Sequence, residues 1–273
     1  MISENAKPVV VFDKSFVEAT KASVLQEFAK ECTVVITSAF YYETFTTLDQ
    51  TPRSSRKTVF KGFPEFRRVD TQKLYKFERE NQAPAESMDA LQCIVNPNVV
   101  SGERRLTEDE KICISEYENH IVLPEIKFWK EVMEHDVPGF DRSEIHTLSV
   151  NDDKPGFKKV CERLLRVDFI REVAQQMHHP LANLMDEKWI TFRNLQAMLL
   201  HGLTLQYQYP TPHQLRSDLD LEHDVHDIDY LSLGLHATGG GFATNESRSD
   251  FRKLGWKFKF LNPESQKDRE NTI

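Results

Sequence analysis

Residues 8–45 read PVVVFDKSFVEATKASVLQEFAKECTVVITSAFYYETF, and the order of apolar runs and helical spacings in this stretch decides the fold. PVVVFD (8–13) is a short Val/Phe run closing on an acid, as a buried parallel strand would be. Ser15 is a candidate helix cap, and Phe16, Val17, Ala19, Val24, Leu25 and Phe28 follow at roughly helical intervals. CTVVIT (32–37) reads as a second buried strand. Ser38 is the next candidate cap, and AFYYETF opens a second helix carrying Glu43. This β-α-β-α grammar predicts an α/β fold, with a small parallel sheet flanked by helices.

The same grammar returns near the end of the chain. SDLDLEHDVHDIDYLSLGLHATGGGFATNE (217–246) reads as an acidic helix, a glycine stop at Gly239–Gly241 and a short strand at 242–244. WKFKFLNP is expected to form a last strand. Between these ends, residues 70–208 look mostly helical, with pieces expected at 71–80, 84–94, 107–118, 124–134, 156–178 and 186–207. The expected organisation is a core formed by 1–50 and 210–273, with 51–209 as a large helical insertion packed on it.

The chain has 273 residues, 39% hydrophobic and 29% charged, in keeping with a globular protein that buries a sizeable core. No run reaches the ~18 apolar residues of a membrane helix. The opening MISENAKPVVVFD lacks a basic region followed by a long apolar run, so no membrane partner and a cytoplasmic location are expected. Thirty-five Lys and Arg against forty-three Asp and Glu leave −8, which excludes a general basic coat but not a local basic patch. Two such patches stand out. Residues 51–68 carry Arg53, Arg56, Lys57, Lys61, Arg67 and Arg68 interleaved with Phe60, Phe63 and Phe66, a pattern able to grip a phosphate backbone and stack bases. Arg248 and Arg252 begin a second basic stretch. Cys32, Cys93, Cys113 and Cys161 are scattered, with neither zinc-ligand nor disulfide-framework spacing.

Four acids occupy places where strand chemistry would bring them together. Asp13 ends the first strand, Glu43 sits on the helix after the second, Asp227 lies in the acidic helix and Glu246 lies just past the strand at 242–244. If strands 8–13, 32–37 and 242–244 are neighbours, all four converge at the carboxyl edge of the sheet, where open α/β sheets bind ligands. Convergent carboxylates repel unless counter-charged. Mg²⁺ or Mn²⁺ supplies that charge, takes oxygen ligands and supports water attack on a phosphodiester.

These elements together resemble the PIN domain, a nuclease fold of bacterial toxin ribonucleases, RNA-processing factors and structure-specific nucleases. VVVFDKS resembles the opening strand with its terminal Asp and, in Ser15, a hydroxyl residue two positions on. ITSAFYYETF resembles the strand–Ser–helix–Glu element. HDVHDIDYLSLGLHATGGGFATNE resembles the helix that starts with an acid and runs to a glycine turn. TNESRSDFRKLGWKFKFLNP resembles the family's ending. The resemblance implies Asp13, Glu43, Asp227 and Glu246 as catalytic acids and metal ligands. Asp224 is a rival for the place of Asp227, Asp229 a supporting ligand, and Thr244 and Asn245 supporting residues. It implies a metal-dependent endonuclease acting on nucleic acid, RNA in preference to DNA, in toxin, antiviral-defence or RNA-processing settings, with a homo-oligomer or an inhibitor protein as further partners. The alternative is a catalytically inactive PIN-like scaffold binding nucleic acid or protein. A phosphatase using Asp13 as nucleophile would want a second Asp two residues on, where Ser15 stands. Two departures from the family pattern are the length of the middle region and Glu246, where Asp or Asn is commoner.

Overall fold

A computed structural model describes residues 7, 9–46, 66–85, 92–95, 108–132, 134–209, 218–236 and 241–243. Strand β1 (Val9–Phe12) leads through helices α1 (Lys14–Ala19) and α2 (Ala22–Glu31) to β2 (Thr33–Thr37) and α3 (Ser38–Thr46). Then follow β3 (Phe66–Val69), α4 (Thr71–Asn81) and β4 (Gln92–Val95). A helical series comes next: α5 (Glu108–Tyr117), a wide π-helical turn (Glu118–Val122), α6 (Leu123–Val132), α7 (Arg142–Val150), α8 (Lys154–Glu162), a 3₁₀ turn (Arg163–Leu165), α9 (Val167–Gln176) and α10 (Ile190–Gln208). Helix α11 (Asp218–His236) and β5 (Gly241–Ala243) complete the described chain.

The strands form one sheet in the order β4-β3-β2-β1-β5. β3, β2, β1 and β5 run parallel, with Val10 opposite both Val34 and Gly241, and β4 pairs antiparallel to β3 at the edge. The expected neighbours 8–13, 32–37 and 242–244 are therefore side by side, the last of them shifted by one residue. Both central strands are almost wholly apolar because helices cover both faces of a parallel sheet. Phe12, Phe16 and Phe28 meet with ring centroids 5.0–5.8 Å apart and lock α1 and α2 onto β1.

Residues 51–209 are not a purely helical insertion. β3 and β4 both lie within that range and belong to the sheet, so the α/β core extends further than residues 1–50 and 210–273. Residues 92–95, expected at the end of a helix, form β4, and α7 arises where no helix is expected. The expected helix 156–178 is instead α8, a 3₁₀ turn and α9.

The helical series packs around α10, which is buried on nearly every side and packs against α11. Two buried amides on it reach backbone carbonyls: Gln196 donates to the Leu164 carbonyl at 2.7 Å, and Gln206 donates to the carbonyls of Val132 and His135 at 3.1 and 2.6 Å. Gly202 is small because the neighbours come close; a Cβ there would stand 3.1 Å from Val137 Cγ2 and 3.4 Å from the Trp129 ring. Glu78 of α4 is fully buried and reaches α10. Its carboxylate accepts the backbone N–H groups of Ala85, Ile190 and Thr191 at 3.2, 2.8 and 2.9 Å, and the Thr191 hydroxyl at 2.6 Å. The α10 N-terminus is thus capped by a side chain from a distant helix, an acid set against the positive end of the helix dipole. No helix among the described residues is long and apolar enough to cross a membrane.

Candidate functional site

Asp13 leaves β1 in extended conformation and caps α1. Its Oδ1 accepts the Phe16 backbone N–H at 2.5 Å and the Ser15 hydroxyl at 2.9 Å, and the residue is 3% exposed. The cap is therefore Asp13 rather than Ser15, which instead steadies the carboxylate. One strand over, Thr37 plays the same part for α3: its Oγ1 accepts the Phe40 N–H at 3.1 Å, one residue before the expected Ser38. Both helices therefore spring directly from the carboxyl ends of adjacent parallel strands. That brings Asp13 and Glu43 to the same edge of the sheet.

Glu43 faces α11. Its Oε2 accepts the Tyr230 hydroxyl at 2.6 Å, and its Oε1 lies 3.9 Å from His223 Nδ1. Burial pushes the Glu43 carboxyl up, but His223, His226, Tyr230 and Lys14 outweigh it and hold it below its ordinary value. In return the Glu43 contact raises the His223 imidazole. Burial raises the Tyr230 phenol far above its usual range, and the charges of Glu43 and Asp13 add to this.

Helix α11 carries Asp224, Asp227 and Asp229. Asp227 is half-buried, four residues after His223 and three before Tyr230, so it shares the stripe that faces Glu43. Asp224 points elsewhere: its Oδ2 lies 3.6 Å from His201 Nε2 of α10. Asp229 is 7% exposed and takes a third direction, accepting the Thr71 hydroxyl of α4 at 2.7 Å. Burial raises its carboxyl, while Thr71, the Ala39 amide and Thr37 pull the other way. Asp229 thus ties α11 to the ends of β2 and β3 beneath the other acids. Nearby, burial and the charge of Asp229 push Glu125 of α6 up to about 8.

His226 completes the wall. It lies within 5.3 Å of the Tyr42 ring and stacks on Tyr117 at 5.9 Å, with its Nδ1 3.3 Å from the Tyr117 hydroxyl. Its Nε2 is 3.8 Å from Glu222 Oε1. Sequence reasoning singles out none of Lys14, Tyr42, Tyr117, His223 or Tyr230 as part of the acid site. The one signal for two of them is their four- and three-residue spacing from Asp227.

Thr244, Asn245, Glu246, Arg248 and Arg252 lie outside the described residues, as do Arg53, Arg56, Lys57 and Lys61 and the expected strand WKFKFLNP. Among the described residues no three of His, Cys, Asp and Glu converge closely enough to hold a metal ion. Asp13 and Glu43, at the carboxyl ends of adjacent strands, and Asp227 on α11 would offer carboxylate oxygen. That donor set suits a hard cation such as Mg²⁺ or Mn²⁺ rather than zinc. Cys32, just before β2, and Cys161 are buried free thiols.

The chain matches no protein-family model, no curated protein and no solved structure.

Proposed function

We propose that the chain is a divalent-metal-dependent endonuclease of the PIN type, hydrolysing phosphodiester bonds in RNA in preference to DNA. One observation carries this reading: Asp13 and Glu43 stand at the carboxyl ends of adjacent parallel strands, and Glu43 accepts the Tyr230 hydroxyl of α11, the helix that also bears Asp227. Asp13, Glu43 and Asp227, with Glu246 as the expected fourth acid, would hold Mg²⁺ or Mn²⁺. When bound, the ion supplies an acidified water and charge stabilisation for the attacking and leaving oxygens. Tyr230 fixes the rotamer of Glu43 and favours its ionised form through a charge-assisted hydrogen bond. His223, raised by Glu43 and largely exposed, is placed to exchange a proton at the rim. The basic segments 51–68 and 248–259 would hold the strand by its phosphates. The test is incubation with labelled single-stranded RNA, DNA and tRNA, with Mn²⁺ and with EDTA. EDTA-sensitive cleavage, abolished in Asp13→Asn, supports the reading, and cleavage that survives either treatment refutes it.

A second reading rests on the lack of any three-residue metal group among the described residues. On that reading the chain is a PIN-like scaffold without catalysis that binds nucleic acid or protein. A Mn²⁺ thermal shift separates the two, since a metal bound to the folded state alone raises the melting temperature.

A further inference from the structure

A cleft of about 740 Å³ opens on the far side of α4 from its buried face. Thr71, Leu74 and Glu78 point into the core, while Gln72, Tyr75, Lys76 and Arg79, spaced three and four apart, line the cleft. His120 of the π-helical turn and His179 of the α9–α10 connection close it from the other side. Among the described residues no carboxylate lines it, although the chain as a whole carries −8. Lys76 is only loosely engaged, 3.8 Å from Glu80 with both side chains exposed, and Arg79 makes no ion pair with a described residue.

The two histidines do different work from the cations. The Leu181 N–H donates to His179 Nδ1 at 3.2 Å, which leaves the ring proton on Nε2 as a donor. Burial lowers the His179 imidazole, so it stays neutral near pH 7 and donates without adding charge. Tyr75 lines the cleft while its hydroxyl is buried, and its phenol is pushed far up by burial, then by Asp229, Glu125 and Glu78. It therefore adds an aromatic ring to the cleft without adding charge.

We propose that this cleft is a binding site for a nucleoside monophosphate. Lys76 and Arg79 take the phosphate, His179 and Gln72 supply neutral hydrogen bonds, and Tyr75 with the imidazole of His120 gives the base flat surfaces. The volume lies within the range of small-ligand sites, and charge-assisted contacts from Arg and Lys are the strong ones available to phosphate. The site contains none of Asp13, Glu43 or Asp227, so it stands apart from the proposed nuclease centre.

The experiment is isothermal titration of the full chain, without metal, with adenosine 5′-monophosphate, ribose 5-phosphate, inorganic phosphate and adenosine. AMP is expected to bind more tightly than ribose 5-phosphate or phosphate, and adenosine not measurably. The double variant Lys76→Ala/Arg79→Ala, both at exposed helix positions, should keep the wild-type melting temperature and weaken AMP binding at least about tenfold, the loss of roughly one charge-assisted hydrogen bond. Asp13→Asn should bind AMP as wild type does, whatever its nuclease activity. Absence of AMP binding at millimolar concentration overturns the proposal. So does AMP affinity no better than that of ribose 5-phosphate, or affinity unchanged in the double variant.

Discussion

Asp13 is asked to do two things at once, and a pair of substitutions separates them. Its Oδ1 holds a buried backbone N–H and a neighbouring hydroxyl, which is a structural task, and on the proposed function its charge would help hold the metal, which is the chemical one. Asp13→Ala removes the cap and orphans the Phe16 N–H. Loss of a cap costs about 0.5–2 kcal/mol, and an unsatisfied buried donor about 1–3 kcal/mol. These overlap, so a total of about 2–3 kcal/mol is expected. In a chain of this size that lowers the melting temperature by roughly 4–10 °C. Asn caps helices as well as Asp does. Asp13→Asn keeps an acceptor oxygen in the same place and should lie within about 1 kcal/mol of wild type. Cleavage should behave differently. Both variants lose the charge that would hold the metal, a loss of several kcal/mol in the transition state, hence at least about a hundredfold in rate. Differential scanning calorimetry and a gel-based RNA cleavage assay on the same preparations read the two effects. Wild-type cleavage by Asp13→Asn would refute the catalytic assignment, and melting of Asp13→Asn as low as that of Asp13→Ala would refute the account of the cap.

Further outcomes are expected from other sites. Tyr230→Phe removes the donor to Glu43, so the Glu43 carboxyl should rise and the acid limb of the cleavage–pH profile should move to higher pH. An unmoved limb counts against Glu43 acting in its ionised form. Glu125, held at about 8, binds a proton in the folded state that it has lost in the unfolded chain between its ordinary 4.5 and about 8. That stabilising protonation is complete below pH 4.5 and disappears as pH rises to about 8. Glu125→Gln should therefore flatten the fall in melting temperature over this window, and an equal fall in wild type and variant would contradict it. Glu78→Ala strips four hydrogen bonds from a buried carboxylate that caps α10, with an expected cost of about 3–5 kcal/mol in urea unfolding. A cost under about 1 kcal/mol would show that α10 does not need this cap.

The parts of this architecture that could be read in advance are those whose signal is local. β1 and β2 are runs of Val, Ile and Phe with helices following directly, and their pairing with β5 follows from the handed grammar of such units. β3 was hidden because it is four residues long and contains Arg67 and Arg68. In the sequence these read as part of a basic loop, and only pairing with β2 makes them a strand. β4 was hidden for a similar reason, since its four residues end a stretch whose apolar spacing also suits a helix. Asp13 and Glu43 were legible because strand ends place them. The pairing of Asp224 with His201 was not, since it depends on how α11 is rotated against α10. Nor was the partnership of Asp229 with Thr71, residues separated by 158 positions. The role of Glu78 has no sequence signature at all, because a buried glutamate on an amphipathic helix looks like any solvated one.

Helix α11 works as a spindle, with His201 gripping it on one side through Asp224, Thr71 on another through Asp229, and Glu43 on a third through His223 and Tyr230. Each α-helical residue advances the bearing by about 100°. Inserting or deleting a single amino acid early in α11 would therefore swing all the preceding side chains off their mates together, even with every residue type retained. A one-residue length change is therefore expected to be tolerated before the helix begins or after it ends, and not within it.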